Sequence, residues 1–346
     1  MYISTSRLGG HMKMLVQPTI EGHEILDCPS FSFLVKHPSG RKILFDLGTR
    51  KDWENFPPTI LKIFKEHQLT AKVEKNVSEI LEEHGFAVSE GAIEAVIFSH
   101  WHYDHIGDMS TFPSSTALVV GPGFKEAFVP GYPARPDGLL RQSDYEGREL
   151  REVSFDTKTH PRIGGCLAVD FFGDGSFYLL DAPGHAIGHL CALARTSIGG
   201  DGEQDTFIFM GGDACHHAGE FRPTEYLPLP TQIQLHSSAH WPKGICPGAI
   251  MQQLHHKKSA CEPFYDMAEG FALNRGEAEQ TIRNLEAFDA AENVFVVIAH
   301  DQTLLDIGMS TFPKGVSDWK KKGYAEDGRW AFLEDFSVAA SKITPV

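Results

Sequence analysis

The chain has 346 residues, enough for one large domain or two smaller ones with a substantial core. Apolar residues make up 42% and charged residues 22%, a balance that excludes disorder across the whole chain. The formal charge of −15 argues against nucleic acid as the main partner and against a charge-driven grip on anionic membranes, since both need clustered Lys and Arg.

Residues 1–10 lack an apolar signal core, and no apolar stretch is long enough to cross a bilayer. Cys28, Cys166, Cys191, Cys215, Cys246 and Cys261 contain no Cys-x-x-Cys pair and are too few for a disulfide scaffold of this size. They read as reduced thiols in a cytoplasmic setting. Residues 31–36 and 42–46 read as strands joined by His37-Pro38-Ser39-Gly40, a turn with Pro and Gly where a type I turn favours them. Residues 57–85 carry helical spacing, with Gly85 as a stop. Residues 92–99 form a short apolar strand that ends at His100. Residues 121–150 are rich in Gly, Pro, Arg and Asp and read as a long surface loop. A second hairpin is expected from 166–172 and 176–181, turned at Gly173-Asp174-Gly175. Strands follow at 190–194, 207–210 and 294–299, with a helix at 276–288 and an irregular insert at 214–265. Strands alternating with helices indicate layered α/β packing, and several of these strands finish at a residue able to bind metal: His100, His185, Asp213 and His300. No linker splits the chain, so we expect a single domain over 1–346 with insertions at about 51–90, 121–160 and 214–290.

The decisive segment is Ser99-His100-Trp101-His102-Tyr103-Asp104-His105. It packs four possible ligands, His100, His102, Asp104 and His105, into the order His-x-His-x-Asp-His. In an extended or turning segment His100 and His102 can point the same way, and Asp104 and His105 follow where the chain bends. Imidazole and carboxylate are the ligand types zinc accepts at catalytic sites. The bland alternative is chance among 18 histidines, but so polar a cluster is costly to bury without a cation. His185 beside Gly184, Asp213 after Gly211-Gly212, and His300 at a strand end are each weak alone, being equally at home as a surface histidine, a turn aspartate and a capped strand end.

The order His-x-His-x-Asp-His, Pro-Gly-His, Gly-Asp and strand-end His resembles the metallo-β-lactamase superfamily, over roughly residues 31–300. The resemblance implies an αβ/βα four-layer sandwich. It implies that His100, His102 and His185 hold one ion, that Asp104, His105 and His300 hold a second, and that Asp213 bridges them. It also implies two Zn2+ per chain, with Mn, Fe or Co as alternatives. Within the superfamily the chain is similar to N-acyl-homoserine lactone lactonases, at residues 121–125, 144–155 and 44–48. Those lactonases commonly carry a tyrosine three residues after the bridging aspartate; here the position is His216, which leaves room for a lactam.

The chemistry so implied is hydrolysis of a small-molecule acyl substrate. A hydroxide made available near neutral pH by two ions about 3.5–4 Å apart attacks the carbonyl carbon. Asp104 or Asp213 passes a proton to the leaving group. His216 donates to the substrate carbonyl or, alternatively, faces solvent with His217. Asp46 orients a ligand histidine or simply bonds to backbone. Cys215 and His189 read as packing residues, and His236, His240, His255 and His256 as loop or surface residues. Phe124, Phe128, Tyr132, Leu227 and Trp241 either wall a substrate cleft or pack loops onto the core. The expected function is a dinuclear zinc lactonase, with a lactam or amide hydrolase as first rival and a thioesterase of the glyoxalase II type behind it. A nuclease is disfavoured by charge. A sensor without turnover is disfavoured by the complete ligand set, and a di-iron redox protein by His102, where such relatives usually place Glu. A homodimer is possible.

Overall fold

In the strand Lys42–Phe45, pleating sends Ile43 and Phe45 to one side and Leu44 to the other, and all three are fully buried. A strand apolar on both faces must lie inside a layered fold, and the computed structural model, which describes residues 1–200, 202–233 and 247–343, shows those layers. One sheet has seven strands, in the order Thr70–Val73, Tyr2–His11, Ile25–Lys36, Lys42–Phe45, Ala95–Ile97, Ala117–Val120 and Leu150–Glu152. The second has six, in the order Val294–Val297, Thr206–Met210, Leu190–Ser197, Phe177–Asp181, Cys166–Asp170 and Arg162–Ile163. Ile43, Phe45, Ile97 and Val119 of the first sheet pack face to face with Phe177, Leu179, Ile208 and Val297 of the second. Behind the first sheet, Leu44, Val96 and Leu118 meet Ile60 and Phe64 of helix Pro58–His67 and Leu81 of helix Val77–Glu83. Behind the second, Phe209 and Val296 meet Ile282, Leu285 and Phe288 of helix Arg275–Asp289. The four layers are those of the expected αβ/βα sandwich.

Both expected hairpins form, with Phe33 opposite Phe45 in the first and Ala168 opposite Leu180 in the second. The helical reading of 57–85 needs correction. The first helix ends at Gln68, whose φ of 54° is left-handed, and a strand, Thr70–Val73, pairs with Tyr2–His11 before the second helix begins behind the Asn76 cap. Edge pairing overrides local periodicity there, as it does at the N-terminus, where Tyr2–His11 is a ten-residue strand that the sequence pattern left unmarked. The loop at 121–150 contains only a five-residue helix, Phe124–Phe128, and a single 3-10 turn, Gln142–Asp144, before its last residue opens the strand Leu150–Glu152. Among the described residues no helix is long and apolar enough to cross a membrane.

Two main-chain contacts tie the sheets together at one end, and a third joins neighbouring strand ends of the second sheet. Leu190 N–H donates to Ser99 O, Phe31 N–H to Ala299 O and Gly211 N–H to Val297 O, at 2.8, 3.0 and 2.9 Å. The segments that follow Ile97, Met210 and Val297 are thereby held side by side. Phe177 is fully buried between the sheets, so Phe177→Ala is expected to destabilise the protein by about 3–5 kcal/mol, read as an earlier denaturant midpoint; an unchanged midpoint contradicts the packing described.

Candidate metal centre

The strand Ala95–Ile97 delivers the chain to Ser99, whose N–H donates to Asp46 Oδ1 at 2.6 Å. His102 is extended and precedes a single helical turn, Tyr103–Ile106. Successive residues on that turn project about 100° apart, so Asp104 and His105 splay toward different neighbours. His185 follows Gly184, whose φ of 120° and whose closeness to helix Arg275–Asp289 only glycine tolerates: a Cβ there would sit 2.0 Å from Ala278 N. Asp213 and His300 each stand three residues beyond the end of a strand.

These seven side chains meet in two groups that share one carboxylate. His100, His102, His185 and Asp213 form the first; Asp104, His105, Asp213 and His300 form the second. Asp213 divides its oxygens between them. Oδ2 lies 3.6 Å from His100 Nε2 and 3.5 Å from His185 Nε2. Oδ1 lies 3.0 Å from His105 Nε2 and 3.1 Å from His300 Nε2. His185 Nε2 is 3.2 Å from His100 Nε2 and 3.0 Å from His102 Nδ1. Asp104 Oδ2 is 3.4 Å from His300 Nε2 and 3.7 Å from His105 Nε2. Ligands about 2.0–2.1 Å from a tetrahedral ion are about 3.4 Å apart, close to these spacings.

The donor set fits divalent cations for reasons internal to the chain. His105 Nε2 and Asp213 Oδ1 are buried without a hydrogen-bond partner: the two atoms are near enough to bond, but their orientation is wrong for it. The ring nitrogens on the far side are engaged. His105 Nδ1 meets Asp46 Oδ2 at 2.8 Å, His300 Nδ1 meets Pro29 O at 2.9 Å, and His100 Nδ1 meets Ser99 Oγ at 3.1 Å. Such outer partners fix the tautomer that turns a lone pair inward. Burial, reinforced by neighbouring imidazoles, holds His100 and His185 far below the usual histidine range and brings His102 to about 4. Burial also opposes charge on His105 and His300, but Asp213, together with Asp104 and Asp46 at His105 and with Cys28 at His300, outweighs it and raises both. Burial likewise works against the Asp213 carboxylate, yet His105, His300, His216 and His100 together drive its pKa well down. An anion is therefore locked among imidazoles, three of which are held neutral, and neutral imidazole is the form that binds metal. The clusters are suited to a dimetal centre.

A cavity of about 460 Å³ opens above them. His102, Tyr103, Asp104, Asp213, His216 and His300 line its floor, and its walls include Leu8, Met14, Leu15, Leu26, Ile60 and Phe271. The wall residues proposed from sequence lie elsewhere. Phe124 and Phe128 are buried in the core behind the first sheet, and Tyr132 and Leu227 do not line the cavity. Trp241, like His236, His240 and Cys246, lies outside the described residues.

Residues 25–196 match the family model described as the metallo-beta-lactamase superfamily. The chain is 46% identical to the metallo-hydrolase mfmC of Annulohypoxylon moriforme over 325 residues, covering 93% of this chain and 83% of the relative. The chain belongs to the metallo-beta-lactamase superfamily. Among its relatives is the gamma-lactamase FDB1 of Fusarium pseudograminearum (strain CS3096), 40% identical over 93% of this chain and 78% of the relative. Its fold matches a crystal structure of a B. thuringiensis AiiA mutant with N-decanoyl-L-homoserine bound at the active site, with a TM-score of 0.57 and 16% identity over 90% of this chain and 96% of that one. This superfamily member is a hydrolase.

Sequence reasoning missed part of the machinery. His189 does more than pack behind the His185 turn: its Nδ1–H donates to Ala182 O at 2.9 Å and its Nε2 accepts from Asp213 N–H at 3.0 Å, fixing the backbone that carries the shared carboxylate. The Gly-x-x-x-Gly-His spacing that ends at His189 was the available signal. His216 and His217 are both buried, so neither faces solvent. Glu220 Oε2 accepts from both their N–H groups, at 2.6 and 3.1 Å. His255, read as a surface residue, is buried with Nε2 2.8 Å from Pro263 O, while His256 is partly exposed. Cys215 is a fully buried packing residue.

A third group, His23, His217 and Asp335, also converges. There His217 Nδ1 accepts from Gly219 N–H at 3.0 Å, so the ring keeps its proton on Nε2 and gives it to Asp335 Oδ2 at 3.1 Å. His217 thus has both ring nitrogens engaged within the protein, and its bond to Asp335 straps the C-terminal segment to the site loop. Asp46→Asn should weaken metal retention in the main centre by about 10–100-fold, as loss of an outer partner does. Competition with a chelator measures it, and unchanged retention would show that Asp46 does not orient His105.

Proposed function

We propose that this chain is a dinuclear zinc hydrolase that opens small cyclic amides. The observation that carries the metal assignment is Asp213, whose two oxygens face two separate groups of imidazoles at the floor of one cavity. Its ligands would be His100, His102 and His185 on one side, Asp104, His105 and His300 on the other, and Asp213 between. When bound, such a pair of ions supplies a water of lowered pKa and a Lewis acid for the carbonyl oxygen. The preference for a lactam rests on the gamma-lactamase relative, similar over most of both chains.

The chain's own residues then do the following. Asp104 lines the cavity and commits only Oδ2 to its neighbours, so it accepts the proton that the attacking water gives up and returns it to the leaving nitrogen. Asp213 stays between the two groups and moves no proton. His216 Nε2 lies 3.1 Å from Asp213 Oδ2 at the cavity floor, where the ring would donate toward the substrate carbonyl. His189 and Asp46 keep Asp213 and His105 in place. Opening a lactone, the first expectation from sequence, would use the same residues with an oxygen leaving group. We place the protein as a water-borne enzyme acting on free small molecules, folded as a single domain over 1–346.

Metal analysis of purified protein is expected to give about two ions per chain, and chelation should abolish hydrolysis until zinc is returned. His102→Ala should lose at least one ion and essentially all activity. Across a panel of γ-lactams and lactones, ring opening of lactams is expected. Lactone opening alone would replace the lactam assignment with the lactonase one, and full activity in the His102 variant would overturn the site.

A further inference from the structure

One polar group at the cavity floor has no task in the scheme above, the hydroxyl of Tyr103. Tyr103 sits inside the ligand motif, between His102 and Asp104, and begins the helical turn Tyr103–Ile106. Its ring is held edge-on by Phe64 and Phe56 of the neighbouring helical layer, with centroids 4.6 and 6.2 Å away. Packing therefore fixes where the ring lies, and the residue lines the cavity beside Asp104, Asp213 and His300. Its hydroxyl makes no hydrogen bond within the described residues. Tyr103 is a half-buried phenol, and its hydroxyl is not among the side-chain atoms sealed from solvent without a partner. An unpaired one on the floor of a cavity is a donor set for something that enters.

We propose that Tyr103 touches the substrate and that its O–H donates to the carbonyl oxygen of the ring being opened. This rests on the hydrolase assignment above. The choice of atom follows from the chemistry of an amide. Its nitrogen lone pair is delocalised and accepts poorly, whereas its oxygen accepts well. Attack at carbon then moves negative charge onto that oxygen, so the donated hydrogen bond strengthens as the reaction proceeds. A phenol serves because it is protonated at neutral pH and is held by two aromatic rings rather than by a mobile loop. His216 reaches the cavity from the segment after Thr206–Met210 and leans on Asp213, so the two donors approach the carbonyl oxygen from different segments.

The test is Tyr103→Phe, which keeps the ring and its packing on Phe56 and Phe64 and deletes only the donor. The expected result is a fall in kcat of about 100-fold on the best lactam or lactone, with KM changed far less and metal content and melting temperature as in the wild type. Tyr103→Ala, which also removes the cavity wall, should raise KM in addition. Rates are compared per bound metal pair, so any partial metal loss in a variant is corrected. A phenylalanine variant within about twofold of the wild-type kcat overturns the proposal while leaving the hydrolase assignment standing. A metal-loaded wild type that opens neither lactams nor lactones sinks the assignment, and Tyr103's role goes with it.

Discussion

The constraint on which the site depends is the burial of one carboxylate among imidazoles that cannot all be charged. Asp213 is nearly inaccessible to solvent, and so are His100, His105 and His185 around it. Desolvation alone would neutralise each of these groups. Desolvation, with help from neighbouring imidazoles, does hold His100 and His185 neutral, but the histidines around Asp213 keep that carboxylate ionised. The two orphaned atoms, His105 Nε2 and Asp213 Oδ1, mark where internal hydrogen bonding fails to satisfy this arrangement. Divalent cations would satisfy these same polar atoms.

Holding that arrangement is the work of the strand ends. Ligands come from segments as far apart as His100 and His300, and no stretch of local structure can position both. The sandwich does so because its two sheets are joined at one end by main-chain bonds, Leu190 to Ser99 and Phe31 to Ala299 among them. Outer contacts finish the alignment: Asp46 on His105, Pro29 on His300 and His189 on the Asp213 backbone. The cavity above is assembled from other parts of the chain, chiefly the N-terminal strand with its following turn, helix Pro58–His67 and Phe271. Ligation and substrate access are thus carried by different segments, and relatives can share the first while differing in the second.

The motif around His100 could be read from sequence because its four ligands lie within six residues, where spacing alone limits where they point. The strands were legible for a similar reason: apolar runs at 43–45, 92–99 and 294–299 report burial directly. Local pattern failed where pairing partners are remote. Residues 70–73 look helical beside Ile63 and Phe64 but become an edge strand because Tyr2–His11 offers them hydrogen bonds. Glu220 and Tyr103 gave no sequence signal of their own, since the geometry of a hydrogen bond or of an unpaired hydroxyl exists only in the folded chain.

By itself, then, the sequence determined the layered α/β class, the ligand types and the segment that would nucleate the centre, all of which are properties of residues close together in the chain. Only the tertiary structure decided that Asp213 faces both groups, that His216 is turned to Asp213 rather than to solvent, and which side chains wall the cavity. Those are relations between segments tens to hundreds of residues apart. They follow from how two sheets stack and which strand ends meet, and no periodicity along the chain encodes that.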